Sequence, residues 1–557
     1  MNTITGRSAF LSLLEDEGVA HLFGNPGTTE LPVMDALKDH PQIEYVMGMQ
    51  ESVVVGMADG YGRASGKLAA CNVHVAPGLG NAMGALYNAN WYGSPVLITA
   101  GQQEQGHGLM EPLLYGPLVA MATPLVKWAV EVTRLEDLPR IVRRAAKLAL
   151  TPPTGPVFIS LPGDILNTQA ALELGHATRV DAATRPTARA VDALATRILQ
   201  AKNPVIIAGH EVATSNALNE AAHFAELLGA PVYQQTVPYG AHFLSEQPTF
   251  MGALSRDQSE VRAVLEPYDL LICLGADVLR MSVFSTVDPL PRDLRIAQIG
   301  LRDWEIGKNY PTETAVRADV KETLLDLNTV LAQKQSSGDR VLAQSRLSTI
   351  AKVNWTTTRD ALRTRLIGEE NVAPIDPDQL MLHLVDALPA DAIVVEEAIS
   401  SARALLRLRP FRGPNDYFGL ASGGIGFAAA GVIGVHLAHP TRPIVAIIGD
   451  GSAMYSIQAL WTAANMKLPI VYVITNNRSY RILKERLVAF HGNDNFIGMD
   501  LTDPAIDFVG LAQSMGVKAE RITDVEGVRP ALVRALNASG PSLLEVIVAD
   551  GFAHKKP

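Results

Sequence analysis

An excess of positive charge, a pattern of cysteines and any long apolar run are all missing from this chain of 557 residues. Its 57 acidic residues outnumber its 47 basic ones, for a net charge of −10, so it lacks the basic footprint that phosphate backbones require. Nucleic acid is therefore not expected as a partner. The two cysteines, Cys71 and Cys273, are far apart and unpatterned, which excludes a zinc module and a disulfide scaffold and suits a reducing compartment. No window reaches the ~18 uninterrupted apolar residues that cross a membrane. Glu15, Asp16 and Glu17 interrupt the first apolar stretch, so no secretory leader is expected. What remains is a composition 48% hydrophobic and 19% charged, that of a folded, cytoplasmic enzyme with no membrane partner. At ~150 residues per domain, its length allows three or four domains.

The chain reads as α/β, with three doubly wound parallel-sheet domains. Short apolar strands alternate with helical patterns from His21-Leu22-Phe23-Gly24 through Ala69–His74 and Val96–Ala100 to Val157–Leu161, an N-terminal domain over residues 1–185. A second series, from Pro204-Val205-Ile206-Ile207 to Leu294–Ile299, gives a central domain over 186–335. The polar, interrupted stretch 336–370 reads as a linker, and a third series fills 371–557. The first and third domains read as similar in plan.

The strongest chemical signal is Gly449-Asp450-Gly451-Ser452, at the end of the apolar strand Pro443–Ile448, followed by a helix, a second apolar strand and Asn476-Asn477. In isolation a Gly-Asp-Gly is a tight turn. Here two neighbouring strands deliver Asp450 and Asn477 to the carboxyl edge of one parallel sheet, where open α/β sheets bind ligands. Oxygen donors from Asp450, Asn477 and a backbone carbonyl near Ser479 suit Mg²⁺ or Ca²⁺, with a diphosphate completing the shell. The glycines allow close approach of phosphates to the backbone.

With FGNPGTTELP (23–32), MQESVVVGMADGYGRASG (49–66), NVHVAPGLGNAMGAL (72–86), ASGGIGFAAAGVIGV (421–435) and IGDGSAMYSIQALWTAA (448–464) in order, the whole chain resembles the thiamine-diphosphate-dependent 2-keto acid decarboxylases and synthases, and most of all their benzoylformate decarboxylase branch. The resemblance is weakest in the central domain. It implies a pyrimidine-binding first domain, a diphosphate-binding third domain and thiamine diphosphate as cofactor. It gives Glu51, which opens a helix with an otherwise small and apolar face, the hydrogen bond to the cofactor's pyrimidine ring. His74 becomes a proton-transfer residue, and the Thr28 hydroxyl faces the substrate carboxylate. Ile425 becomes the wedge beneath the cofactor, and the Gly423 carbonyl accepts a hydrogen bond from its amino group. Ser400, Gly451, Ser452, Tyr455 and Tyr480 join Asp450 and Asn477 around the diphosphate.

The substrate pocket implied in the same way comprises Leu113, Leu114, Ser282, Ile482 and Arg486. Ser282 and the last two depart from the branch, which has a second histidine in place of Ser282 and a small and an aromatic residue in place of Ile482 and Arg486. Arg481, Lys484 and Arg486 read equally well as a solvated helix face. The expected reaction is non-oxidative decarboxylation of a 2-keto acid to an aldehyde, with carboligation to 2-hydroxy ketones as a competing outcome. An acetolactate-synthase-like carboligase and a non-catalytic binding homologue are the alternatives. The turn Ala208-Gly209-His210-Glu211-Val212 lacks the glycines of a dinucleotide site, which gives the flavin of such synthases no support. In the family the two halves of the site come from different subunits, so a homodimer is the minimal unit and a homotetramer is expected.

Overall fold

The computed structural model describes residues 3–552. The chain forms two compact units, one built from residues up to Asp181, Asn371–Ala402 and Leu420 onward, the other from Ala182–Glu370 and Arg403–Gly419. Among the described residues no helix is long and apolar enough to cross a membrane.

The first unit holds two parallel sheets. In one, the spatial order is Glu44–Met47, His21–Gly24, Ala69–Val73, Val96–Gln102, Val157–Pro162 and Ala129–Glu131. In the other, Ile393–Glu397, Ile444–Gly449, Ile470–Asn476, Ser542–Ile547 and Lys518–Ile522 follow the same path, strand for strand, as the last five of the first sheet. The central strands are buried from end to end, as in Val96–Gln102 and Ile470–Asn476. This is why they read as unbroken apolar runs rather than as alternation.

A pair of glycine-lined helices joins the two sheets. Glu51–Ser65 packs on Phe427–Ala438 so closely that a Cβ added at Gly60 would lie 2.1 Å from the Gly431 carbonyl oxygen, and one at Gly434 1.9 Å from that of Met57. These contacts make the helices antiparallel. Arg63, buried beside Asp59 at 2.6–2.8 Å, stacks on Phe427 at 4.0 Å.

The second unit has one parallel sheet in the order Phe250–Ala253, Val232–Gln234, Pro204–Ala208, Leu270–Leu274, Arg295–Gly300 and Thr314–Arg317. Numbered along the chain, that order is 3-2-1-4-5-6. The stretch 336–370, expected as a linker, instead forms the helices Ser337–Ile350 and Trp355–Ile367. Ser336 and Asp339 build a capping box at the first, and Asn354 caps the second. Only Ala343 and Ile350, and then Trp355, Leu362 and Leu366, are buried, so the apolar stripe is too sparse to stand out in the sequence.

Candidate active site

Two clusters of polar side chains form at the carboxyl edges of the two sheets of the first unit. The first lies where His21–Gly24 and Ala69–Val73 end. Glu51, the first residue of its helix and only 7% exposed, accepts hydrogen bonds from the side-chain amides of Asn25 (3.3 Å) and Asn81 (3.1 Å). Gly78 makes room for it, since a Cβ there would sit 3.1 Å from Glu51 Oε1. His74, at the N-cap of the helix Val75–Tyr92, is held through Nδ1 by Glu30 Oε2 at 2.6 Å and by the Thr29 hydroxyl at 3.1 Å.

Glu30 is 1% exposed, and its carboxylate is fully used. Oε1 accepts from the Gly101 N–H (3.0 Å) and the Thr29 hydroxyl (2.8 Å), and Oε2 also accepts from the Gly27 N–H (3.0 Å). As an acceptor, the carboxylate takes the Nδ1–H of His74, and the neutral imidazole of that tautomer has its lone pair on Nε2. Thr28 is exposed on the turn Thr28–Glu30, and it is the neighbouring Thr29 hydroxyl that reaches His74.

The second cluster lies where Ile444–Gly449 and Ile470–Asn476 end, and it brings Asp450 and the Asn477 turn together. Asp450 is buried; its Oδ1 accepts from the Gly451 N–H at 2.7 Å, while Oδ2 is buried with no hydrogen-bond partner. Burial pushes this carboxyl up to about 6, against the opposing pull of the peptide N–H groups of Gly451 and of Asn477 to Ser479. Asn477 Oδ1 accepts from the buried Ser479 N–H at 3.0 Å. The Tyr480 ring lies against Gly451, where a Cβ would come within 2.5 Å of it. Ser452 is half-buried and Tyr455 is 55% exposed.

Glu397, at the end of its strand and fully buried, accepts from the Ala428 N–H at 2.6 Å and from the Gly426 N–H. It fixes the turn Gly423–Gly426 to the start of the helix Phe427–Ala438. The positive φ of Gly423 (+87°) and Gly426 (+110°) explains the glycines there. Ile425 projects from this turn half-buried, and Ser400 is half-buried after the Glu397 strand. Burial pushes the Glu397 carboxyl up to about 7.

The proposed pocket residues lie on a loop, a helix and the second unit. Leu113 is 88% and Leu114 43% exposed in a loop of the first sheet's domain. Ile482 and Arg486 are half-buried on the helix Arg481–His491. Ser282 is exposed in the second unit. Lys484, read as one of a solvated row, is buried between Asp500 (2.6 Å) and Asp550 (3.1 Å) and pins that helix. Arg481 pairs with Glu485 at 3.0 Å, and Arg486 packs over Phe490.

The residues present suit the expected cofactor. Among the described residues no three acidic, histidine or cysteine side chains converge on a metal position. A cation at Asp450 would therefore draw on one carboxylate, one amide and the oxygens of a diphosphate, and the partnerless Oδ2 is a ligand atom of that kind.

The chain belongs to the thiamine pyrophosphate enzymes. Residues 4–112 match their N-terminal TPP binding domain, 191–327 their central domain and 400–546 their C-terminal TPP binding domain. Among curated proteins, the benzoylformate decarboxylase of Pseudomonas aeruginosa is 35% identical over 97% of this chain and 98% of its own length. A probable acetolactate synthase large subunit of Methanococcus aeolicus is 27% identical over 98% of this chain and 92% of its own. Among solved structures, the thiamine diphosphate-dependent 4-hydroxybenzoylformate decarboxylase of Rhodococcus jostii superposes with a TM-score of 0.85 at 32% identity, covering 98% of this chain and 99% of that one.

Proposed function

We propose that this enzyme decarboxylates a 2-keto acid of the benzoylformate type to the aldehyde, using thiamine diphosphate and a divalent cation, Mg²⁺ or Ca²⁺. The observation that carries the reading is the pairing, at one sheet edge, of a buried glutamate held by two amides with a histidine whose tautomer a second buried glutamate dictates. Thiamine diphosphate, when bound, supplies the nucleophilic carbon and the electron sink that accepts the pair released with CO₂. Asp450 and Asn477 would hold the cation, and through it the diphosphate. Glu51 would hold and exchange a proton at the pyrimidine ring nitrogen. His74, neutral with its lone pair on Nε2, would take a proton from water and deliver it from Nε2 to the carbon that has lost CO₂. Ile425, on a turn locked by Glu397, would support the cofactor from below.

The helix pair supports a site shared across two chains. Arg63, which stacks on Phe427 beside the Ile425 turn, lies twelve residues beyond Glu51, ~18 Å along the helix. Glu51 and Ile425 thus stand at opposite ends of one antiparallel pair, and a symmetric dimer lets each chain complete the other's site. The Ser282 hydroxyl cannot act as acid–base at neutral pH as an imidazole does, which favours carboligation to a 2-hydroxy ketone as a competing product.

The test is turnover of benzoylformate, phenylpyruvate, pyruvate and branched keto acids with added cofactor and Mg²⁺, scoring CO₂, aldehyde and hydroxy ketone. Aldehyde and CO₂ from an aryl keto acid, abolished in Asp450→Ala, are expected; flavin-dependent acetolactate formation from pyruvate alone would overturn the reading. Mixing inactive Glu51→Gln with inactive Asp450→Ala chains should restore about a quarter of the sites if two-fold dimers share them. No recovery after proven subunit exchange would reject the shared site.

A further inference from the structure

The second unit presents an unused crevice. Its strand order 3-2-1-4-5-6 reverses direction between Pro204–Ala208 and Leu270–Leu274, and dinucleotides bind at such a switch point in sheets of this order. The three central strands run into Gly209, Gly275 and Gly300, which leave room above the sheet edge. A small cleft, with a cavity volume of about 20 Å³, opens there, lined among others by Gln235, Tyr239, Arg280 and Arg302.

One side chain fills the position nearest the backbone. Glu211 follows Gly209 by two residues, the spacing at which the dinucleotide fingerprint has its second glycine, the one that lets a pyrophosphate approach the chain. Its carboxylate Oε2 accepts the Leu301 N–H at 2.7 Å. Its Cβ stands 2.2 Å from where a Cβ of Gly275 would be, and Oε2 and Oε1 stand 3.1 and 3.4 Å from one at Gly300. The side chain is 8% exposed, and its burial raises the carboxyl's pKa while the Leu301 and Arg302 N–H groups and the Arg302 charge oppose the rise. A group buried at that cost, on backbone donors that suit an anion, stands where a ligand's anion would stand. The helix that follows, His210–Thr214, has only five residues and offers no anion-binding end of its own.

We propose that Glu211 is an internal plug: its carboxylate occupies the phosphate position of a nucleotide-type crevice, so the second unit holds no flavin or adenine nucleotide while that side chain is present. The proposal does not rest on the catalytic reading, because it concerns other residues and is read by binding alone.

The experiment is calorimetric titration of the full-length protein with ADP and with FAD, as wild type, Glu211→Gln and Glu211→Ala. The wild type and the glutamine variant, which keeps the volume and one acceptor, should bind neither nucleotide at millimolar concentration. The alanine variant frees the Leu301 N–H and the space above Gly300, and it should bind ADP at least about tenfold more tightly, a change of about 1.4 kcal/mol. Thermal unfolding verifies the fold, and Glu211→Ser serves if the alanine variant does not fold. Binding of either nucleotide by the wild type, or a folded small-residue variant that gains none, overturns the proposal.

Discussion

Glutamine at position 30 is the most searching single change for the proposed chemistry. The Glu30 carboxylate accepts four hydrogen bonds, two on each oxygen, and two of the four donors are peptide N–H groups that cannot turn, those of Gly27 and Gly101. A glutamine keeps one acceptor oxygen and replaces the other with an NH₂. Whichever way it faces, the NH₂ is set against one fixed N–H inside a site only 1% exposed. Leaving a buried donor unsatisfied costs about 1–3 kcal/mol, and the charge assistance of the remaining bonds is lost as well. Glu30→Gln should therefore lower the unfolding free energy by about 2–4 kcal/mol in urea titration. If the NH₂ faces His74, it also inverts the imidazole, placing the hydrogen on Nε2 and removing the lone pair that takes the proton. Turnover should then fall about 10²-fold, the low end for a general acid–base role because the imidazole itself remains. The binding curve for thiamine diphosphate, measured by quenching of intrinsic fluorescence, should stay in place, since Glu30 is a positioning residue away from the Asp450 clamp. Wild-type kcat and an unchanged pH–rate profile in a variant whose NH₂ faces His74 would refute the tautomer argument, and unchanged stability would refute the hydrogen-bond accounting.

Two further outcomes follow. Gly434→Ala places a Cβ 1.9 Å from the Met57 carbonyl oxygen and 2.5 Å from the Tyr61 nitrogen, both backbone atoms that cannot move aside. Urea unfolding should show a loss at or above the upper end of the ~1–3 kcal/mol typical of overpacking, and a neutral result would mean that the two helices are not in backbone contact. Glu397 carries a carboxyl raised from 4.5 to about 7 in the fold. The folded chain thus holds an extra proton between those two values. This group's contribution to stability is complete below about 4.5 and is lost as the pH rises through about 7, by about 3 kcal/mol in all. The difference in stability between wild type and Glu397→Gln, followed across that range, should show this slope; a flat difference would count against it.

The parallel sheets were readable from residue order because both of their faces are covered, so their strands appear as apolar blocks closed by Gly or Pro. Asp450, Asn477 and Glu51 stood out because their chemistry is carried by short local patterns. Glu30 and Glu397 did not. Each is a buried carboxylate whose partners lie far along the chain, His74 for one and the Gly426–Ala428 backbone for the other, and nothing beside them marks the burial. Glu30 accepts the Gly27 N–H as an acid at a helix start does, yet the same carboxylate holds His74. The burial of Lys484 is hidden in the sequence for a related reason. A lysine between two arginines looks solvated until Asp500 and Asp550 fold against it. The helices at 337–350 and 355–367 were missed because they bury only a narrow stripe, and most of their residues are polar.

The glycine-to-backbone contact between Glu51–Ser65 and Phe427–Ala438 has a consequence for attempts to alter what the enzyme accepts. Where the two helices meet through main-chain atoms there are no side chains to repack, so those positions leave almost no room for compensating mutations. Glu51, His74, Asp450 and Asn477, the residues proposed to carry protons and cofactor, are mounted on that joint or on the strand ends beside it. Leu113, Leu114, Ile482 and Arg486 are on a surface loop and a half-buried helix instead. Directed evolution of substrate range should accordingly find its gains at those four positions and in their neighbours, while libraries aimed at residues 56–60 or 430–434 should return mostly unfolded protein.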